Sequence, residues 1–479
     1  MPSGAPADTE SPDTHETPGR GSASAAPAPA DTCDGDAAQA DPGADHISST
    51  DAPIAAESAD LEQVRPARRG VLSRFTMDTR PLRHRPYRRL WMSTLVTGVG
   101  SQLTAVAVPK QIYDLTASSA WIGIASFVGL MPLIVFGLWG GAVADAVDRR
   151  TLMLVTNIGI SATSLALWAQ AAAGLHSLWL IMALLAVQQA LFGMNSPARG
   201  AAIPRLVPSA ELPAANALNS TVMLTGALFG PLLAGALIPL IGLPTLYLID
   251  SVGLTAVLWA VLRLPKMPPA PGAARRTDWT QVRDGFSFVA ANPLLLCSFV
   301  IDLIAMVFGM PRALFPQLAA TTYAGNHYAL GLLYAAIPAG SLIGGLLSGS
   351  VTRLRRHGLV TIVAVTAWGV VMAGFGLSGG SLALACVFLA LGGAADFVSM
   401  IFRSAILQTV APDEMRGRMQ GVFVVVVAGG PRLADLVHGF GGAALGAGTF
   451  TTIGGVAVVA GALLLAALTP AYRRYRAEA

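Results

Sequence analysis

Charged side chains are scarce in this sequence. Asp, Glu, Lys and Arg make up 12% of its 479 residues, whereas roughly a quarter of the residues in a soluble domain are charged. Hydrophobic residues account for 53%, and the mean hydropathy is +0.59. These values exclude an ordinary soluble protein and predict a membrane protein.

Residues that bind metals or perform covalent chemistry are also few. The three cysteines show no CxxC spacing, and only one of the seven histidines, His438, lies in a predicted membrane span. We therefore expect neither a disulfide framework nor a metal site. The sequence contains no GxxxxGKS or GxxxxGKT phosphate-binding loop and no clustered nucleophile and base, so we expect no direct ATP coupling, no enzymatic activity and no cofactor.

The amino-terminal segment differs in composition from the rest of the chain. The first 64 residues carry thirteen acidic residues and one base, Arg20, among abundant Ala, Pro, Ser, Thr and Gly. Such a segment cannot bury an apolar core, so residues 1–70 are predicted to form a disordered acidic tail. No cleavable signal peptide is predicted, because a basic, then apolar, then small-residue pattern is missing there.

Long apolar runs make up most of the remaining chain. A helix of about 20 apolar residues crosses a bilayer core of about 30 Å. The predicted spans are 90–112, 120–142, 151–173, 177–196, 214–238, 244–264, 293–317, 328–350, 358–378, 381–402, 419–438 and 447–469. The predicted fold class is therefore an all-α membrane protein with twelve transmembrane helices.

The basic residues predict which side of the membrane each connection faces. Of the 31 Lys and Arg residues, 28 lie in the amino-terminal segment, the even-numbered connections and the carboxyl tail, and none lies in an odd-numbered connection. Basic residues in short loops stay on the cytoplasmic side, so both termini are predicted to be cytoplasmic. Arg far outnumbers Lys, which fits a GC-rich bacterium, so the expected location is the bacterial inner (plasma) membrane.

An internal duplication divides the spans into two groups of six. A shift of 204 residues superposes Gly140 and Gly141 on Gly344 and Gly345, Arg149 on Arg353, Arg199 on Arg403, and Pro208 on Pro412. Transporter folds are often built from such repeats. The predicted domains are the tail 1–70, a six-helix bundle with a basic lead-in at 71–265, a linker at 266–292, a second six-helix bundle at 293–470, and a tail at 471–479.

The linker is predicted to contain an amphipathic helix. Trp279, Val282, Phe286 and Val289 recur at spacings of three, four and three residues, which places them on one helical face. Such a helix is expected to lie at the inner membrane surface.

The stretch WGGAVADAVDRRTLML, residues 139–154, introduces charge at the inner end of span 2. Glycine allows close helix approach, a carboxylate favours a helix amino terminus, and arginines bind carboxylates or helix carboxyl ends. Such a set can latch two bundles together on the cytoplasmic side. Alternatively, the arginines belong to a solvated loop and only set the orientation. The candidate gating residues are Gly141, Asp145, Arg149 and Arg150, with Gly345 and Arg353 at the duplicated position.

This stretch resembles the loop 2–3 signature of the major facilitator superfamily. In that signature a Gly is followed four residues later by Asp and then by a basic pair, and Ala146 and Asp148 depart from the usual pattern here. The resemblance covers about residues 85–470 and implies two pseudo-symmetric six-helix bundles. It also implies a secondary transporter that works by alternating access.

Span 5 contains a second motif, GALFGPLLAG, at residues 226–235. Gly226 and Gly230 form a GxxxG face, and Pro231 frees a backbone carbonyl and bends the helix. A GxxxG pair can also serve only for helix packing. The motif, which ends at Gly235, resembles the antiporter motif of exporters in the superfamily, with Ala234 in place of one Gly.

Four further stretches resemble one branch of the superfamily. They are SQLTAVAVPKQIYDLT (101–116), SPARGAAIPRLVP (196–208), PRALFPQLA (311–319) and FRSAILQTVAPDEMRGRMQG (402–421). The enterobactin-exporter and macrolide-efflux branch, a class of drug:proton antiporters, has similar sequences. The resemblance implies export of a drug, macrolide or siderophore-like compound and a role in drug resistance.

Ionisable residues inside predicted spans are candidates for proton coupling or for the substrate cavity. Each costs roughly 2.5 to 3.5 kcal/mol at mid-bilayer, so it usually faces a cavity or a partner. Asp302 is the first choice for proton carrier and Asp435 the second, although Asp435 can instead pair with Arg432 as a structural link. Helix packing or interfacial pairing is an equal alternative for Asp250, which lies nearer the outer end, and for Asp396, which lies near Arg403 toward the inner end. The full set is Asp250, Asp302, Arg312, Asp396, Arg432 and Asp435.

The sequence thus predicts a monomeric transporter that exports a small amphipathic molecule, driven by a proton gradient. Its expected partners are the substrate and the lipid bilayer, with no nucleic acid. An importer or facilitator of a small metabolite and a non-transporting membrane sensor are the alternatives.

Overall fold

The computed structural model describes residues 78–268, 279–351, 354–410, 412 and 415–476. From Phe75 onward the chain forms one compact unit. The predicted acidic tail 1–70 lies outside the described residues.

Helices make up nearly all of the described chain, which contains no strand. The helices are α1 (Arg85–Thr116), α2 (Ser119–Ala146), α3 (Arg149–Ala172), α4 (Leu178–Leu206), α5 (Leu212–Leu262), α6 (Trp279–Ala291), α7 (Pro293–Gly309), α8 (Phe315–Ala320), α9 (Ala329–Val351), α10 (His357–Gly376), α11 (Leu382–Val410), α12 (Arg416–Leu445), α13 (Ala447–Leu468) and α14 (Pro470–Arg474). Short 3-10 helices occur at Arg80–Arg83, Ser209–Glu211 and Arg312–Leu314.

The helices in the described ranges are consistent with the twelve predicted crossings. Within the described ranges, nine segments are long and apolar enough to cross a membrane. One of them contains α5, whose 51 residues would extend about 75 Å, enough for two crossings. Helices α1 and α12, of 32 and 30 residues, are also long enough but carry more charged residues. The two arms of α5 together with α1 and α12 bring the crossings in the described chain to twelve.

The break in α5 lies at Gly242. Its φ of 73° and ψ of 168° fall in a region that is essentially restricted to glycine. Pro244 follows two residues later and cannot donate a backbone N–H group. The chain therefore reverses here without an intervening loop, and the arms 212–241 and 243–262 cross the membrane in opposite directions.

The span predicted over 293–317 is confirmed as one membrane segment, Pro293–Ala320, but its helix is not continuous. Helix α7 ends at Gly309, and Met310 has non-helical φ and ψ of −115° and 86°. Pro311 disfavours helical geometry in the residue before it and lacks a backbone donor. Arg312 therefore lies within this segment, in a 3-10 turn between α7 and α8 and not in a regular α-helix.

The helices form two bundles that meet along two pairs of helices. Helices α1–α5 form the first half and α7–α13 the second, and contacts between the halves come mainly from α2 with α12 and from α5 with α9. We call the end of the bundles that holds the loops 147–148, 207–211 and 354–356 the basic end. The opposite end, which holds the loops 117–118 and 321–328, is called the neutral end.

Two large apolar clusters organise the core. One contains residues of both halves, including Ile112 and Leu246 in the first half and Leu314 and Leu333 in the second. The other stabilises the basic end of the first half and contains residues such as Tyr87, Leu152, Leu218 and Met267. The described members of this second cluster come only from the first half and the linker.

Helix α6 lies in the linker and packs on the second half. Val289 is 4% exposed and joins a cluster with Leu295, Met419 and Val422, whereas Phe286 is 42% exposed. One residue of the expected apolar face therefore contacts α12, while another remains on the surface.

Candidate functional site

The most buried ion pair in the described chain joins α7 to α11. Asp302, on α7, pairs with the guanidinium of Arg403 on α11. The two side chains are 6% and 11% exposed. Arg403 Nη2 also lies 3.8 Å from Asp396 Oδ1, and the Asp396 side chain is 35% exposed. One guanidinium thus bridges a buried carboxylate and a more accessible one.

These three residues line a small cavity of about 110 Å³. Apolar side chains supply most of the rest of its wall, with two serines at Ser298 and Ser404. The apolar members are Phe299, Met306, Met400, Leu407, Phe423 and Val427. The wall therefore combines charged groups at one place with aromatic and thioether surfaces that suit an aromatic ring.

The charges of the cavity do not balance. Asp302 and Asp396 face one Arg403, and the other lining residues are uncharged, so the fully ionised cluster carries a formal charge of −1. An uncompensated charge in a low-dielectric region is costly. The cluster is therefore suited to bind one further proton or one hydrogen-bond donor of a ligand.

A second charged group lies where α2 meets α12 near the neutral end. The Ser126 hydroxyl donates to Asp435 Oδ2 at 2.7 Å. Arg432 Nη1 donates to the Ser126 carbonyl at 3.5 Å. Arg312 stacks over the Tyr334 ring, 5.8 Å from its centroid, and the Tyr334 hydroxyl donates to the Arg312 carbonyl at 3.3 Å. Asp435 and Arg432 each bind α2, so their first role in the structure is to join the halves.

Small residues bring α2 and α12 together beside this group. The Ser119 hydroxyl donates to the Gly439 carbonyl at 2.9 Å. A Cβ atom at Gly123 would lie 2.6 Å from the Asp435 carbonyl oxygen and 2.9 Å from the Leu436 Cα atom. Farther toward the basic end, a Cβ at Gly141 on α2 or at Gly429 on α12 would meet no atom within 4 Å.

We expect Gly123→Ala to weaken this closure, because the added methyl group collides with the α12 backbone and only separation of the helices relieves it. In a background with the native cysteines replaced by Ser, the buried Ser119→Cys thiol should react faster with an impermeant maleimide applied at the neutral end. Gly137→Ala is the matched control, since its Cβ has no neighbour closer than 3.9 Å. Equal labelling rates in the two variants would contradict the expectation.

The span 5 motif packs α5 against one helix of each half. A Cβ at Gly226 would lie 3.0 Å from the Gly98 carbonyl oxygen on α1, and one at Gly235 would lie 2.5 Å from the Gly331 Cα atom on α9. The Pro231 carbonyl oxygen lies 2.7 Å from the Cβ position of Gly331. Gly230 packs on the Gln102 side chain of α1. The motif therefore forms part of the contact between the halves.

The loop 2–3 residues contact their own half in this structure. Arg149 Nη2 lies 3.3 Å from Asp145 Oδ1, and Arg150 Nη2 donates to the Leu262 carbonyl at 2.6 Å. Asp148, which departs from the signature, caps α3 by accepting from the Thr151 N–H at 3.1 Å and also accepts from the Met267 N–H at 2.9 Å.

The glycines of this signature differ in their surroundings. Close approach occurs at Gly140, whose Cβ position lies 2.6 Å from the Met194 Cα atom of α4, and not at Gly141 as the sequence suggested. Gly345 faces the Phe397 ring of its own half at 3.2 Å. Arg353 lies outside the described residues.

Asp250 lies apart from the other charged candidates. It is 5% exposed and accepts hydrogen bonds of 2.9 Å from the hydroxyls of Thr104 and Ser164. Gln188 donates to the Ser164 hydroxyl at 3.2 Å. The carboxylate thus joins α1, α3 and the second arm of α5 inside the first half.

Arg403 is the site residue that the sequence prediction missed. The predicted span 10 ended at residue 402, which placed Arg403 in a connection, whereas α11 continues to Val410. Its match to Arg199 in the duplication was the available signal. The same 204-residue shift takes Asp302 and Asp396 to Gly98 and Phe192, so the first half lacks the two carboxylates.

A family profile described as a transmembrane secretion effector matches residues 76–474. The chain belongs to this family, within the major facilitator superfamily. The branch predicted from the sequence is thereby confirmed, and the chain is a multi-pass transporter-family protein of the bacterial inner membrane.

Curated relatives extend over nearly the same region. The chain is 29% identical to the enterobactin exporter EntS of Citrobacter koseri over 401 residues, which cover 82% of this chain and 94% of the relative. Identity to the enterobactin exporter EntS of Salmonella typhimurium is 28%, with the same coverage.

Solved structures show the same fold at low sequence identity. The nucleoside transporter NupG superposes with a TM-score of 0.66 at 14% identity and covers 80% of this chain and 98% of its own. A bacterial homologue of the lysosomal transporter Spinster gives 0.61 at 15% identity, covering 83% and 97%. These matches confirm the two-bundle architecture of the superfamily.

Proposed function

We propose that the chain exports a small siderophore-like or other amphipathic compound by alternating access, in exchange for protons. The family description and the exporter relatives support secretion as the direction of transport. The structural observation that carries the coupling mechanism is the Asp302–Arg403–Asp396 cluster beside the cavity.

The cluster supplies a physical basis for exchange. With both carboxylates ionised it carries one uncompensated negative charge, which a proton or an ammonium group of the substrate neutralises and a neutral donor group of the substrate stabilises by a hydrogen bond. Once one of them is bound, the electrostatic attraction for the other is lost. Binding that is mutually exclusive in this way is what an antiporter requires, because each crossing then carries one cargo and not both.

The wall of the cavity indicates what part of the substrate it takes. Sites for complete drug-sized ligands measure about 300–1,000 Å³, so about 110 Å³ accommodates only one group of such a molecule. Phe299 and Phe423 offer ring surfaces, and Asp396 offers an acceptor for a phenolic hydroxyl or an ammonium group. We propose that an aromatic ring carrying hydrogen-bond donors enters here while the rest of the compound lies between the halves.

The arrangement of the halves supports a conformation open at the basic end. Hydrogen bonds and close backbone contacts join α2 to α12 near Ser119 and Gly439. Toward the basic end, the space beside Gly141 and Gly429 is open, and the loop 2–3 arginines bind their own half. With the termini in the cytoplasm, this conformation would load substrate from inside the cell.

Flux through purified protein in proteoliposomes tests the proposal. An imposed pH gradient should drive uptake of a catechol-bearing siderophore or a macrolide against its concentration gradient, and dissipating the gradient with a protonophore should stop it. A substrate flux that does not depend on the imposed pH gradient would indicate a facilitator. Binding without flux for every compound would indicate a sensor.

A further inference from the structure

A groove on the outside of the second half lies at the basic end, away from the Asp302 cavity. It has a volume of about 560 Å³ and is formed by the loop before α10, the first two turns of α10 and the end of the chain after α14. The lining residues are Leu354, Arg355, Arg356, Leu359, Val360, Val363 and Arg476.

The described side chains that line the groove carry charge of one sign. Three of its seven lining residues are arginines and none is acidic. A guanidinium presents several N–H donors in a planar array that matches two oxygens of a phosphate group. The groove therefore offers a site for an anion with several oxygens at the level where the loops leave the membrane.

Contacts of the carboxyl-terminal segment hold the residues that precede Arg476, which lines the groove together with the other two arginines. Tyr472 is 1% exposed, and its hydroxyl accepts from the Ser298 hydroxyl at 3.2 Å. The Tyr475 hydroxyl lies 2.9 Å from that of Thr409, and its ring packs edge-on against His357, 6.4 Å between centroids. Two anchored tyrosines thus hold the chain just before Arg476.

The remaining wall is apolar and continues into the membrane-facing surface. Val363, on the second turn of α10, is 59% exposed, and Leu354 is 48% exposed. Residues of this kind at the end of a transmembrane helix lie beside acyl chains, while adjacent arginines reach the head-group level. The groove thus places phosphate-binding groups directly above a lipid-facing apolar strip.

We propose that this groove binds an anionic phospholipid, with the head-group phosphate held by Arg355, Arg356 and Arg476 and an acyl chain lying along Val363. Basic pockets at the membrane surface recognise such head groups, and each arginine there contributes about fivefold to the affinity. A site at the junction of α10 and the chain end would fasten the terminal segment to the bundle.

Native mass spectrometry of the detergent-purified full chain, titrated with cardiolipin, tests the site. Wild type should retain cardiolipin with an affinity at least about tenfold above that for phosphatidylcholine. The triple variant R355Q/R356Q/R476Q should lose about 100-fold in cardiolipin affinity, from the contribution of three arginines. The variant R88Q/R473Q/R474Q removes equal charge from exposed positions outside the groove and should change the affinity by less than about threefold.

Three results would overturn the proposal. Equal losses in the two triple variants would show a diffuse surface-charge effect and no defined site. Displacement of cardiolipin by inorganic phosphate at equal concentration would show that the groove binds a free anion and not a lipid. An unchanged affinity in R355Q/R356Q/R476Q would place the lipid elsewhere, provided that its apparent melting temperature matches that of the wild type.

Discussion

Asp302→Asn should reduce pH-driven flux by about 100-fold or more, as is typical when a proton-transferring side chain is removed. Asn preserves the shape of the side chain and its ability to accept a hydrogen bond, but it cannot ionise. The cluster then remains neutral, with Asp396 and Arg403 as its two charges, so a proton is no longer required for compensation. The effect on folding should be small, because Arg403 keeps Asp396 within 3.8 Å.

Two kinds of transport measured side by side separate coupling from binding. Uptake driven by a pH gradient should be lost in Asp302→Asn, whereas exchange of labelled for unlabelled substrate at equal pH should persist at saturating substrate, with weaker substrate binding because the neutral cluster attracts the substrate less. Asp114→Asn is the matched control, since this acid pairs with Lys110 on the surface of α1. Normal pH-driven uptake in Asp302→Asn would exclude Asp302 as the proton carrier, and loss of both activities would assign it to substrate binding.

Arg403→Gln should be the most destabilising substitution in the cluster. It leaves the carboxylate of Asp302, 6% exposed, without its cation. Removal of one partner from a buried ion pair costs about 3–5 kcal/mol, because the other charge stays buried and uncompensated. We expect the apparent melting temperature in detergent to fall by on the order of 5 °C.

The double variant Asp302→Asn/Arg403→Gln distinguishes an ion-pair effect from a packing effect. If the loss comes from the unpaired carboxylate, removal of that carboxylate should restore most of the stability, so the two changes will be non-additive. Arg473→Gln, at an exposed position of α14, should leave the melting temperature unchanged. Additive losses in the double variant would show that the Arg403 side chain stabilises α11 by packing alone.

The break of α7 shows what periodicity and hydropathy can predict from the sequence and what they cannot. The run over 293–317 is largely apolar, with the charged residues Asp302 and Arg312, and is predicted as one span although it contains Pro311 and Pro316. What the sequence could not give was the effect of Pro311, because a proline is accommodated in many membrane helices by neighbours that satisfy the freed backbone groups. Whether Arg312 lay inside a helix or in a turn was therefore open until its neighbours were known.

Arg403 shows a second limit of predicting span boundaries from hydropathy. Hydropathy places the end of a span where charge begins, so a buried arginine near a helix end reads as the start of a loop. Helix α11 continues to Val410, and Asp302, on another helix, compensates the charge of Arg403. That partner lies 101 positions away in the sequence, and nothing local to either residue indicates the pairing.

The sequence by itself determined the membrane class, the two related bundles of six spans and the branch of the superfamily. The membrane class and the bundles follow from patterns that repeat over many residues, such as apolar runs, the placement of bases and a constant shift between halves, whereas the branch follows from the resemblance of four stretches to known sequences. Only the tertiary structure decided that Arg403 joins Asp302 to Asp396, that Asp435 binds Ser126 of the other half, and that three arginines face one groove. These are contacts between a few side chains on separate helices, and helix rotation and depth, which packing sets, decide which of them meet.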